Sequence, residues 1–121
     1  MSAANKAKGT KFESDVANYL QSRGVRCKRH PRTGVNDIGD AGFPLNKGTM
    51  VLEAKARKSI DLATFVAESL VEAVNYEHKF PAEAPAFGAA VVKRRQKPIG
   101  DAYVVLTLDE FVELLQNVGA V

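Results

Sequence analysis

VLEAKARK, residues 51–58, starts as a buried strand and then departs from that pattern. Successive side chains on a strand alternate between faces, so Glu53 and Lys55 share one face while Leu52, Ala54 and Ala56 share the other. A carboxylate on an otherwise apolar strand is costly unless something compensates it. The compensating groups must come from elsewhere in the chain.

Upstream, DIGDAG (37–42) and TMVLEAKA (49–56) read as two strands flanking FPLNKG, which makes a hairpin. A turn near Asn46 and Lys47 pairs residues whose numbers sum to about 93, which puts Asp40 across from Glu53. Like charges facing each other in a sheet are unfavourable and burial worsens them, so the pair calls for a counter-charge. A divalent cation supplies one, and magnesium suits a site with few carboxylate oxygens and retained waters.

Glu13 lies at the margin of the apolar stripe Phe12, Val16, Tyr19 and Leu20, in a helix expected over residues 10–23 with Gly24 as its stop signal. From there it can turn toward the sheet. Lys55 is placed to orient a water or to stabilise charge on a pentavalent phosphate. Three acids and a lysine in this order read as metal-assisted hydrolysis of a phosphodiester.

Outside this set, VRCKRH (25–30) alternates as a strand and PRTGVN (31–36) is dense in turn formers. Asp61 is a suitable N-cap for a second helix, defined by Leu62, Phe65, Val66, Leu70, Ala73 and Tyr76 and running to about Lys79. The loop PAEAPAFG, the strand GAAVVK, the basic turn KRRQKPIGD, the strand AYVVLT and the helix LDEFVELLQNV complete the chain. The expected architecture is one α/β domain over residues 1–121, a central mixed five-stranded sheet flanked by helices in the order α-β-β-β-α-β-β-α. Residues 1–9 read as a mobile basic arm.

A chain of 121 residues, 45% hydrophobic, is one domain's worth of globular protein. Its apolar runs are too short for a membrane span, and MSAANKAKGTK lacks the apolar core of a secretion signal, so a cytoplasmic protein is expected. The single Cys27 has no partner for a disulfide or a metal site and reads as a small half-buried hydrophobe. A net charge of +3 hides an asymmetry: residues 1–60 hold 12 Lys or Arg against 5 Asp or Glu, and the remainder 5 against 9. Such segregation suits a polyanionic partner such as nucleic acid.

The order of Glu13, Asp40, a gap of twelve residues and Glu53-Ala54-Lys55 resembles the PD-(D/E)XK nuclease superfamily. GTKFESDVANYL, RHPRTGVNDIGDAGF, VLEAKARK and VVKRRQKPIGDAYVVLTLDEF together look like the Holliday junction resolvase-like nucleases of phages and actinobacteria, which are similar to archaeal resolvases. One departure is Gly39, where the superfamily's name-giving proline would precede Asp40. The resemblance implies a restriction-endonuclease-like fold and a Mg2+ ion, with Mn2+ able to substitute, held by Asp40, Glu53 and the backbone carbonyl of Ala54. Glu13 would join directly or through water, and Lys55 would position the attacking water. Asp37 competes with Asp40 for the ligand role; Asp40 is preferred and Asp37 reads as a turn residue.

Arg29, Arg32, Arg57, Lys58, Lys93, Arg94, Arg95 and Lys97 are then the expected contacts to DNA phosphates. His30 could act as a general base, although with Arg29 and Arg32 beside it a surface or phosphate-contacting role is preferred. The implied activity is cleavage of branched DNA, four-way junctions above all, in recombination and repair. Two symmetric nicks imply a homodimer, for which the apolar faces of the second and third helices are candidate surfaces, acting in the bacterial host's cytoplasm if a phage supplies the gene. The alternatives are a repair or restriction-type nuclease on other DNA and a non-catalytic DNA-binding protein on the same scaffold.

Overall fold

The computed structural model describes residues 3–32 and 36–121. Its elements are α1 (Ala3–Ser22), β1 (Lys28–Arg29), β2 (Ala41–Pro44), β3 (Thr49–Lys55), α2 (Leu62–Lys79), β4 (Ala86–Val92), β5 (Tyr103–Val105) and α3 (Leu108–Asn117). The five strands form one sheet in the order β1-β2-β3-β4-β5; β3 and β4 run parallel and the other neighbours antiparallel. This is the single α/β domain with a mixed sheet that the pattern implies.

The hairpin register is the expected one. Ala41 pairs with Leu52 and Gly42 with Val51, and the Asp40 amide extends the ladder by donating to the Leu52 carbonyl at 2.9 Å. The strand bounds differ from the expected ones: residues 43–44 belong to β2, and residues 37–40 lie outside it. Gly39 has φ +87°, a left-handed conformation that interrupts an extended strand, and the Asp37 carboxylate accepts from the Gly39 amide at 2.9 Å in a local turn. Proline, with φ locked near −65°, cannot take this conformation, which accounts for glycine before Asp40.

The helix ends follow their chemistry. Asp61 caps α2, accepting from the Thr64 amide at 3.1 Å, and Gly24 ends α1 at φ +88° while Val25 donates back to Leu20 at 2.9 Å. The first helix begins at Ala3, so the segment read as an arm is helical from that residue on; residues 1–2 lie outside the described residues.

One face of the sheet, through Met50, Leu52, Phe87, Ala89 and Val91, packs on Phe12 and Val16 of α1, with Leu114 of α3 at its side. The other face packs on α2: Val51 meets Ala73 and Tyr76, while Ala90 and Val92 meet Phe65. Burying Val51 completely contributes about 1.5–3 kcal/mol. Cys27 is fully buried between Ala17 and Ala41, deeper than the half-buried position expected for it.

The second helix lies unusually close to the sheet. A Cβ on Gly88 would collide with the Ser69 carbonyl, so only glycine lets α2 rest on β4 by its backbone. Its buried face is Phe65, Ser69, Glu72, Ala73 and Tyr76; Leu62, expected inward, is 43% exposed. Strand β5 is too short to pair with all of β4, and the Gly88 amide is satisfied instead by the Glu110 carboxylate at 2.8 Å. Among the described residues no helix is long and apolar enough to cross a membrane.

Candidate active site and metal-binding cluster

The topology gathers the chemistry at one end of the sheet. Strands β3 and β4 are parallel and end there at Lys55 and Val92; β2 begins there after Asp40, and β1 ends there at Arg29. Ligands of α/β sheets commonly bind beyond such carboxyl ends. Glu53 and Lys55 project toward α2, as Val51 does, and both are buried although charged.

Four carboxyl groups lie in series, each close enough to perturb the next: Glu13 beside Asp40, Asp40 beside Glu53 and Glu53 beside Glu72. Burial raises the pKa of all four, to about 7 for Glu13, about 6 for Asp40, about 7 for Glu53 and about 8 for Glu72, and mutual repulsion adds to the shift. Asp40 is oriented by the Ala54 amide, which donates to Oδ2 at 2.8 Å. Glu13 is buried, and Arg32 (3.3 Å) and Arg29 (3.8 Å) face its Oε2.

Lys55 sits at the centre of the charge balance. Its Nζ lies 3.3 Å from Glu53 Oε2, donates to Glu68 of α2, and stands over the Phe65 ring at 5.4 Å. Burial alone favours the neutral amine, but the Glu68 hydrogen bond and the Glu53 charge outweigh it and hold the ammonium above its usual pKa.

All four expected catalytic residues, Glu13, Asp40, Glu53 and Lys55, are thus brought together. The choice between Asp37 and Asp40 dissolves: Asp37 is a turn residue, as read, yet its carboxylate also joins those of Glu53 and Glu72, with one oxygen of each within 4.8 Å of the others. Because residues 37–39 are not a regular strand, the rule that residues three apart face opposite ways does not apply.

Glu68 and Glu72 were absent from the expected set. The sequence carries a signal for Glu72, which lies seven residues after Phe65 and so on the same helix face, a position that apolar periodicity by itself passes over. His30 is not the surface residue expected: half-buried, its ring stacks on Tyr76 at 5.2 Å, Nδ1 donates to the Ile38 carbonyl at 3.0 Å, and burial lowers its pKa.

The donor set fits a hard divalent ion, since the Asp37, Glu53 and Glu72 cluster offers carboxylate oxygens and one oxygen on each of Glu53 and Glu72, Oε1, is buried with no hydrogen-bond partner among the described residues. A cleft of about 360 Å³, lined by Asp37, Glu68, Val71, Glu72 and Asn75, opens beside it. No protein-family model matches the chain, and no curated protein matches it.

Around the acids stand the basic residues. Arg57 and Lys58 follow β3, and Lys93, Arg95 and Lys97 follow β4, all exposed; the Lys93 amide is bonded to the Lys55 carbonyl at 2.9 Å. Arg94 is half-buried and lies over the Tyr103 ring at 4.8 Å. Arg29 and Arg32 reach the site through Glu13. On the opposite face an apolar cavity of about 200 Å³ between α1, the sheet and α3 is lined by Val16, Leu20, Met50, Leu52, Val91 and Leu114 among others. Its lining is apolar apart from the Tyr19 hydroxyl and holds no charged side chain.

Proposed function

We propose that this chain is a magnesium-dependent, structure-selective endodeoxyribonuclease of the PD-(D/E)XK type that cuts branched DNA, with the four-way junction as its leading substrate. The observation that carries this reading is the meeting of Glu13, Asp40, Glu53 and Lys55 at the sheet end from which Arg29, Arg32, Arg57, Lys58, Lys93, Arg95 and Lys97 also emerge. Pure binding has no use for buried acids inside a basic rim, because they repel phosphate.

Asp40 and Glu53 would hold Mg2+, with Glu13 and the Ala54 carbonyl as further candidates; the ion would neutralise charge on the phosphoryl oxygens. The basic rim binds the two phosphate backbones flanking the scissile bond. The Lys55 ammonium, kept protonated by Glu68, donates to the attacking water or to the phosphoryl oxygen that gains charge. Hydrolysis forms one P–O bond to water and breaks one P–O bond of the diester.

No aromatic run accompanies the basic residues, which favours recognition by shape over base stacking. Two symmetric cuts require a homodimer, and Val71 and Val74 of α2 and Leu108, Phe111 and Val112 of α3 are apolar and exposed. The setting for this activity is the cytoplasm, in DNA recombination and repair.

The test is cleavage of an immobile four-way junction beside a linear duplex of matching sequence, with Mg2+ or EDTA, for the native chain and Glu53→Gln. Paired nicks in the junction alone, lost in EDTA and in the variant while binding persists, are expected. Equal cutting of both DNAs points to a general nuclease; tight binding without cutting under any divalent ion overturns the enzyme reading.

A further inference from the structure

We infer that Asp37, Glu53 and Glu72 form a second cation position, distinct from the Asp40–Glu53 side of the cluster and sharing Glu53 with it. The position itself stands on the side chains; its role as one of a pair of ions rests on the nuclease reading.

Three separate elements build it. Glu53 comes from β3, Glu72 from α2, and Asp37 from the β1–β2 connection. Asp37 is not a loose surface acid. Its carboxylate is oriented by the Gly39 amide, and its backbone carbonyl accepts from Asn75 Nδ2 at 2.8 Å, so that α2 fixes Asp37 one turn away from Glu72. The close seat of α2 on Gly88 fixes Glu72 over Glu53 in turn.

The unsatisfied atoms point to a ligand. Glu53 and Glu72 are 7% and 5% exposed, and Oε1 of each is buried with no hydrogen-bond partner among the described residues. Buried carboxylate oxygens in that condition are expensive, and the usual remedies are a donor, a proton or a metal. Lys55 is already committed to Glu53 and Glu68, and Arg29 and Arg32 to Glu13. Among the described residues no lysine or arginine forms an ion pair with Asp37 or Glu72.

Spacing and chemistry suit a hard divalent cation. One oxygen from each of the three carboxylates lies within 4.8 Å of the others; opposite oxygen ligands stand about 4.0–4.2 Å apart around Mg2+ and about 4.6–5.2 Å apart around Ca2+, so the three converge on the scale of one divalent ion. All donors are oxygen, which favours Mg2+ or Mn2+ over thiophilic or imidazole-seeking metals. The adjoining cleft, lined by Asp37, Glu68 and Glu72, has room for the waters that would complete the coordination shell.

Mn2+ is the probe, because electron paramagnetic resonance counts free and bound ion directly. The full chain, without DNA and at about pH 8, is titrated beside Glu72→Gln, Asp37→Asn and Asp40→Asn, each checked for folding by circular dichroism. Two bound ions for the native chain are expected, with one lost in Glu72→Gln, the same one lost in Asp37→Asn, and the other lost in Asp40→Asn. Asp37 is exposed, so its variant keeps the test decisive should Glu72→Gln misfold. Native binding in both Glu72→Gln and Asp37→Asn overturns the site while leaving a nuclease with a single ion intact. Loss of an ion in those two variants, in a chain that cuts no DNA, keeps the site and removes the nuclease reading.

Discussion

Lys55 Nζ lies 3.3 Å from Glu53 Oε2 on its own strand and also donates to Glu68 on the facing helix. One buried ammonium is therefore shared between a candidate metal ligand and a helix residue that no E-x-K pattern includes. Glu68 acts on Lys55 by keeping it charged and aimed.

Glu68→Gln should accordingly lower the cleavage rate about 10- to 100-fold with DNA binding unchanged. Removing the carboxylate lowers the Lys55 pKa, so the alkaline limb of the pH–rate profile should move to lower pH. A profile that keeps its alkaline limb while the rate drops would remove Glu68 as a positioning residue for Lys55.

The acid series makes metal-free stability depend on pH with a definite sign. Ordinary values of 3.8 for Asp40 and 4.5 for the three glutamates rise on folding to about 6, 7, 7 and 8. Over that interval the folded chain binds more protons than the unfolded one, so stability falls as pH rises from about 4 to about 8. In EDTA the melting temperature should be lower at about pH 8 than at about pH 5.5. Added Mg2+ should restore it at the higher pH and do little at the lower, where protons occupy the ligands. Thermal scans across pH decide this, and a melting temperature in EDTA that climbs over the same interval would refute it.

Gly39→Ala should be strongly destabilising. The residue sits at φ +87°, and a Cβ there would lie 2.5 Å from Val51 Cγ1. A strained backbone costs about 1–3 kcal/mol, and the overlap adds to it. Because Gly39 sets the direction of both Asp37 and Asp40, urea denaturation should report the loss and Mn2+ affinity should fall with it. An unchanged midpoint would contradict the left-handed turn.

The basic rim predicts a salt effect. Lys93→Ala combined with Arg95→Ala should weaken binding to every DNA tested and reduce the slope of log K against log salt by about 0.9 per lost phosphate contact. The fold should be unaffected, since both side chains are exposed beyond the end of β4. Binding isotherms over a salt series measure it; an unaltered slope would take this turn out of the DNA interface.

Much of this protein is legible as a string. Element order, the register that sets Asp40 beside Glu53, the Asp61 cap and the Gly24 stop all depend on short-range rules of periodicity, turn geometry and capping, which a sequence carries explicitly. The acid and lysine pattern is equally local, because two residues apart on a strand means one face. What only the tertiary structure decided is the other half of the pocket. Glu68 and Glu72 reach Lys55 and Glu53 because α2 rests on β4 at the Gly88–Ser69 contact, and Asp37 joins them because Gly39 turns the chain out of the strand. Which helix residue faces which strand residue is set by side-chain volumes across a packed interface, and no spacing within one segment encodes it.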